Sequence, residues 1–249
     1  MFAKIKDIWR EALEMARLQD ELSLLMPAND LKVMLSKFRT ISEHVECPHN
    51  QSHILSFVAA MLKLPQGTGG VIIEAGCFKG GSTAKFSLVA KYLGLPLIVF
   101  DSFEGLPENA EAHEQTIDGK SIKGWFKGKE FSGTMEEVRS NIERYGEISV
   151  CKFVMGWFED TLPGFSEKVL AAYIDVDLAS STRTCLKFIY PMVVPGGILV
   201  SQDGDFPLVI EVFDNDRFWR EEVGCGKPKI EGLRKNKILT IVKPLNAST

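Results

Sequence analysis

At 249 residues, 45% hydrophobic and 25% charged, the chain has room for one large α/β domain with an appendage and needs no disulfide or structural metal to fold. Its formal net charge of −4 offers no basic face to nucleic acid. The cysteines Cys47, Cys77, Cys151, Cys185 and Cys225 are scattered, odd in number and form no C-x-x-C, which reads as reduced thiols in a cytoplasmic protein.

The first stretch, MFAKIKDIWREALEMARL, carries charges throughout and reads neither as a signal peptide nor as a membrane span; no later stretch is long and apolar enough to cross a bilayer. Residues 3–38 have helical periodicity, with Ile5, Ile8, Trp9, Leu13, Met15, Ala16 and Leu18 as an apolar stripe. Pro27 and Asn29-Asp30 separate a second short helix, and 50–63 forms a third, so residues 1–65 are an N-terminal helical extension. From 66 to 249 strands and helices alternate. Strands are expected at 71–76, 97–102, 148–156, 169–177 and 197–203, with helices at 82–94 and from Ser180 onward. Continuous apolar runs imply strands covered on both faces, hence a doubly wound parallel sheet. Residues 103–133 are polar and glycine-rich, a length typical of a lid. The run 211–224 reads as a helix on the sheet edge. Around a turn at Lys235-Asn236 the chain is expected to end in an antiparallel hairpin.

The candidate site lies where these strands end. In VIIEAGCFKGGST, Phe78 stands where a dinucleotide fingerprint needs its second glycine, and no Walker G-K-[ST] follows. Glu74 and Gly76 end the first strand, at the edge where open α/β sheets bind ligands. The helix beginning near Gly80, Gly81 and Ser82 favours an anionic group, and a carboxylate suffices. Glu74 suits a cationic ligand, so the set fits the ammonium, sulfonium and carboxylate of S-adenosylmethionine. Asp101, with Ser102 after it, stands where an acid accepts ribose hydroxyls. Gly156, Trp157 and Phe158 offer a flat surface for adenine or, equally, a core aromatic pair. Asp175 and Asp177 end the fourth strand and Gln202-Asp203 the fifth. Carboxylates there need a cation, a base or a hydroxyl as partner. His49 and His53 in HNQSH have zinc-helix spacing without the glutamate of H-E-x-x-H; they line the pocket or cap the helix.

Taken together, EAGCFKGGST, VFDSFEGLP, GWFEDTLP, IDVDLASST and PGGILVSQDGD, from about residue 70 to 220, resemble the macrocin O-methyltransferase family, whose members methylate sugar hydroxyls of antibiotics. Glu74, Gly76, Phe78, Gly80 and Ser82 also match the first motif of catechol O-methyltransferase. The resemblance implies a seven-stranded class I methyltransferase sheet, S-adenosylmethionine as cofactor, a small-molecule acceptor and magnesium. Asp175 falls on the first metal aspartate. The family's Asp-Asp pair reads Gln202-Asp203 here, which puts the metal in doubt and leaves a metal-independent methyltransferase open. The lysine that catechol enzymes carry three residues after the metal aspartate is Leu178 here. Asp177 and His113 are the candidate bases, with His113 equally a solvated lid residue. A dehydrogenase is disfavoured by Phe78 and the hairpin. A non-catalytic binding protein would have no need of Glu74, Asp101 and Asp175 together. A homodimer is left open.

Overall fold

The computed structural model describes residues 2–64, 67 and 69–245, with backbone alone for 2–8 and 10. The side chains of Ile5 and Ile8 and the expected boundary at 65/66 lie outside the described residues. Helices α1 (Phe2–Ser23), α2 (Ala28–His44) and α3 (Gln51–Leu62) come first. Then follow β1 (Val71–Ala75), α4 (Gly81–Leu93), β2 (Leu97–Asp101), α5 (Met135–Tyr145), β3 (Cys151–Met155), α6 (Phe158–Thr161) and β4 (Val169–Ile174). The chain continues through α7 (Ala179–Ile189), β5 (Val193–Ser201), α8 (Pro207–Phe213), the short α9 (Asp216–Phe218) with a π turn over Trp219–Val223, and β6 (Leu239–Val242).

Among the described residues the sheet has six strands in the order β3-β2-β1-β4-β5-β6, with only β6 antiparallel. The expected seventh strand is reduced to one bridge, Glu231 with Thr240. Pro228 has no N–H to donate, and Gly232 turns at φ 84°, so this arm cannot run on as a strand. The third strand is also shorter than expected, because Ile148–Val150 forms a 3-10 turn.

Alternate residues of each strand feed opposite cores, as the period of two requires. Ile72, Leu97, Val99, Ala171 and Tyr173 pack with α1–α5, so the N-terminal helices share a continuous apolar cluster with the sheet. Ile73, Ile98, Phe100, Ala172 and Ile174 pack on the other face with Leu186, Phe213 and Trp219. The run 211–224, expected as one helix on the sheet edge, is instead the end of α8, the short α9 and the π turn, because Asp214 and Asn215 interrupt it, and Phe213, Phe218 and Trp219 pack on this face. The expected α1 stripe is divided: Leu18 is buried, whereas Trp9 and Leu13 are exposed.

The order reverses at β1, whose neighbours are β2 and β4, and this opens a crevice at their carboxyl ends. Backbone hydrogen bonds run one residue past each strand: Gly156 N to Asp101 O, Gly76 N to Phe100 O, Asp175 N to Ala75 O and Gln202 N to Ile174 O. This register sets Gly156, Asp101, Gly76, Asp175 and Gln202 side by side along one edge.

Candidate active site

A cavity of about 490 Å³ opens over that edge, within the range of small-molecule sites. Gly76, Phe78, Asp101, Ser102, Gly156, Trp157, Phe158, Asp175, Asp177 and Gln202 line it. Gly76 has φ 83°, and a Cβ there would meet the Asp175 carbonyl oxygen at 1.9 Å. Its lack of a side chain thus serves the approach of β4 to the turn, which fixes Asp175 at the wall. Phe78, Phe103 and Asp177 are non-glycine residues with positive φ (49°, 58° and 60°), and all three sit in loops leaving the carboxyl edge. Such backbone strain concentrates at functional sites.

Asp101 organises two of those loops. Its Oδ2 accepts the Cys77 N–H at 2.7 Å and its Oδ1 the Phe103 N–H at 2.7 Å. Burial pushes its carboxyl up, against these two donors. Ser102 Oγ donates to the Gly105 carbonyl and shapes the first turn of the lid.

Glu74, Gly80, Gly81 and Ser82, expected at the cofactor, stand behind the wall. Glu74 is fully buried on the α3–α4 side, and neither of its oxygens has a hydrogen-bond partner. Burial pushes its pKa up to about 7 although the Ser82 and Thr83 hydroxyls lie close. Gly80 starts α4 at φ 81°, and Gly81 lets α4 approach Cys47, which a Cβ would meet at 2.7 Å.

Three carboxylates converge beside the cavity, with Asp175 and Asp177 on its wall and Asp203 buried behind them. One oxygen each from Asp175, Asp177 and Asp203 lie within 4.8 Å of one another. Asp203 Oδ2 accepts the N–H groups of Val176 and Asp177, while its buried Oδ1 has no partner. Burial and the Asp175 charge push Asp203 up to about 7. Burial, with Asp203 next to it, drives Asp177 well above the carboxylate range. Asp175 goes the other way: burial raises it, but the His49 imidazole beside it brings it below its usual value. A hard oxygen donor set with an orphaned buried oxygen and two destabilised charges fits a divalent cation such as Mg²⁺.

Gln202, expected among the metal ligands, is not one of this cluster. It shares the face of Asp175 but is turned toward α3. Its Nε2 lies 3.0 Å from His49 Nδ1 and 3.1 Å from His53 Nδ1, and its Oε1 accepts the Tyr173 hydroxyl at 3.0 Å. Asp177 takes the third place instead. His113, a candidate base, is also away from this cavity. It is buried between Phe126 and Phe206 and bonds Glu111 Oε2 at 3.0 Å. Glu111 in turn accepts the N–H groups of Ala179 and Ser180 and so ties the lid to the start of α7. These donors and His113 outweigh burial and bring the Glu111 pKa down to about 2.

Residues 56–228 match the macrocin-O-methyltransferase (TylF) family. The chain belongs to that family. A tetracenomycin 4'-O-methyltransferase of Streptomyces olivaceus, named for a dimethoxy-rhamnosyl tetracenomycin, is 36% identical over 146 residues, 56% of this chain and 55% of that protein. Mycinamicin III 3''-O-methyltransferase of Micromonospora griseorubida is 26% identical over 58% of this chain and 59% of its own length. The chain thus spans little more than half the length of these curated relatives. Among solved structures, the O-methyltransferase NovP superposes with a TM-score of 0.60 at 22% identity, over 77% of this chain and 78% of that one. The calicheamicin methyltransferase CalS11 gives 0.60 at 18%, over 92% and 91%. Both share the fold.

Within the family frame, three wall residues carry no motif. Lys237, from the chain before β6, lines the cavity and bonds Asp205 at 3.3 Å. Burial pulls its ammonium down, but Asp205, Asp203 and Asp175 more than restore it, so it stays a cation. Trp125 and Lys120 face the cavity from the lid, with the Lys120 ammonium 4.7 Å from the indole centroid. Nothing in the spacing of these residues ties them to the strand ends. HNQSH did carry a signal: both histidines line the cavity.

Proposed function

We propose that the protein transfers the methyl group of S-adenosylmethionine to a hydroxyl of a sugar carried by a small natural product. The observation that carries the reading is the meeting of two halves in one cavity: a ribose-type acid, Asp101, at the end of β2, and Asp175 and Asp177 after β4, with Asp203 after β5 buried against them. Asp101, Phe78, Gly156, Trp157 and Phe158 would hold the nucleoside, and Asp175 the ammonium. Aromatic and carboxylate groups of the other half, Trp125, Phe126, Asp118 and Asp205, suit the apolar faces and vicinal hydroxyls of a sugar. The family relatives, which methylate glycosylated antibiotics by their names, support the same acceptor class.

The reaction is an in-line displacement at the methyl carbon, so alignment is the enzyme's main work. Asp177 is the base assigned here. It is on the wall, within reach of a bound hydroxyl, and a carboxylate there can accept the proton. Asp175 and Asp203 would hold Mg²⁺, which when bound would supply charge that orients a hydroxyl and lowers its pKa, while the Asp177 carboxylate beside them takes the proton. Lys237 supplies a fixed positive charge beside them. The lid excludes water from the methyl group. Among the described residues no helix is long and apolar enough to cross a membrane, and the free cysteines accord with a cytoplasmic setting.

The test is incubation of the protein with S-adenosylmethionine, Mg²⁺ and a panel of neutral glycosides, read by mass spectrometry. Gain of one methyl group on the sugar is expected. Methylation confined to aglycone or amine would overturn the acceptor class.

A further inference from the structure

The turn that carries Asp177 is held at both ends by acids from other parts of the chain. Asp177 has φ 60° and is the centre of a tight turn closed by the Leu178 N–H on the Val176 carbonyl at 2.6 Å. A positive φ at the centre of such a turn is strained for a residue with a side chain. Val176 and Leu178 are buried on either side, and Asp177 lines the cavity between them. Before the turn, Asp203 Oδ2 accepts the N–H groups of Val176 at 3.0 Å and Asp177 at 3.1 Å. After it, α7 begins at Ala179, and its N-cap, Leu178, has no side-chain oxygen to offer the first helical donors. The lid supplies one. Glu111 Oε2 accepts the Ala179 N–H and Oε1 the Ser180 N–H, both at 2.8 Å. Every N–H from Val176 to Ser180 is thus engaged. Glu111 is fixed in turn, its own N–H donating to Asn109 Oδ1 at 3.2 Å and its Oε2 meeting His113 Nε2 at 3.0 Å. The lid also reaches the loop after β5, where the Ile117 N–H donates to the Asp205 carbonyl at 2.9 Å.

We propose that Glu111 is a positioning residue for methyl transfer: seated on the start of α7, it holds the strained turn so that the Asp177 carboxylate faces the acceptor hydroxyl, and the base is in place only when the lid is seated. That role rests on the proposed function, in which Asp177 takes the proton. Seating the lid then does two things at once, covering the cavity and completing its catalytic set. With Glu111 withdrawn, the first two donors of α7 lose their partners, and the turn is free to relax toward an ordinary backbone. The same donors, with His113, bring the Glu111 pKa down to about 2, so the group is a carboxylate at neutral pH and both bonds to α7 are charge-assisted.

The test is residue-resolved amide hydrogen exchange on the full ¹⁵N-labelled chain, read beside turnover. In the unmutated protein the amides of Val176, Asp177, Ala179 and Ser180 are expected to be protected. In Glu111→Gln, whose single amide oxygen serves only one of the two α7 donors, exchange should quicken at Val176 and Asp177 as well, although these bond Asp203 and not Glu111. Unprotected Ala179 and Ser180 amides in the unmutated protein would overturn the proposal whether or not any variant folds, and so would an effect of the variant confined to those two. With S-adenosylmethionine, Mg²⁺ and saturating methyl α-L-rhamnopyranoside, Glu111→Ala should lower kcat by about 10- to 100-fold, with a smaller loss in Glu111→Gln and little change in the affinity for S-adenosylhomocysteine. A raised KM with kcat at saturation unchanged would make Glu111 an anchor of the lid alone and overturn the proposal. Absence of methylation of this glycoside by the unmutated protein would count against the proposed function and leave the exchange pattern to decide whether Glu111 holds the turn.

Discussion

Asp177 combines a left-handed backbone, a place on the cavity wall and a carboxylate pushed upward by burial and Asp203. Asn tolerates the same backbone and keeps the side-chain shape but cannot take a proton. Asp177→Asn is expected to lower kcat by about 10²–10⁴-fold with cofactor affinity little changed, measured as methyl transfer beside calorimetric titration. Glu74 poses a different problem. It is a fully buried acid with no hydrogen-bond partner and a pKa of about 7 against an ordinary 4.5. The folded state holds the proton more tightly than the unfolded chain, so this group costs stability as pH rises from 4.5 and the loss is complete above about 7. Glu74→Gln should remove that part of the decline, so that urea midpoints of the variant fall less between those pH values than those of the parent. At this scale the sequence showed the chemistry of single residues but not their meeting. Asp175, Asp177 and Asp203 are each legible as strand-end acids. That Gln202 turns to α3 while Asp203 turns under residues 176–177 depends on histidines about 150 positions away in the chain, which no local pattern reports.

The lid is the element whose role changed most between sequence and structure. Its length and polarity mark it as a covering loop, but the anchor is a carboxylate–helix contact that spacing does not show. Glu111 caps α7, an 11-residue helix, through the Ala179 and Ser180 N–H groups and holds His113 beneath the loop. His113 is thereby structural. Because the folded pKa of Glu111 is depressed, its contribution is present above 4.5 and is lost as pH falls toward about 2. Glu111→Gln should make residues 103–133 more open to proteolysis at neutral pH and remove the acid-induced increase in cleavage expected of the parent. The strands were easier to read. β1, β2 and β4 are continuous apolar runs, and such runs have few alternatives in an alternating α/β chain. The last strand pair was legible only in part, since the turn residues were plain while the weakness of the Pro228–Gly232 arm lay in its backbone chemistry.

At the scale of the molecule, six strands among the described residues and two faces of helices bring five strand ends into one row, and the start of α3 with the segment before it closes one side of the resulting cavity. The doubly wound plan, the helical extension and the ligand edge are all consequences of hydrophobic patterning, which is why they were legible. The division of the cavity into a nucleoside half and a carboxylate half is a property of register and loop packing, which patterning does not specify. The central claim is that the edge around Asp101 binds S-adenosylmethionine. Calorimetric titration with S-adenosylhomocysteine tests it most directly, on the parent and on Asp101→Asn, whose single amide oxygen can accept only one of the Cys77 and Phe103 N–H groups. Micromolar binding to the parent, weakened at least about tenfold in the variant by loss of a charge-assisted bond to ribose, is the predicted result. No heat and no competition for the cavity in the parent, with or without Mg²⁺, would contradict it.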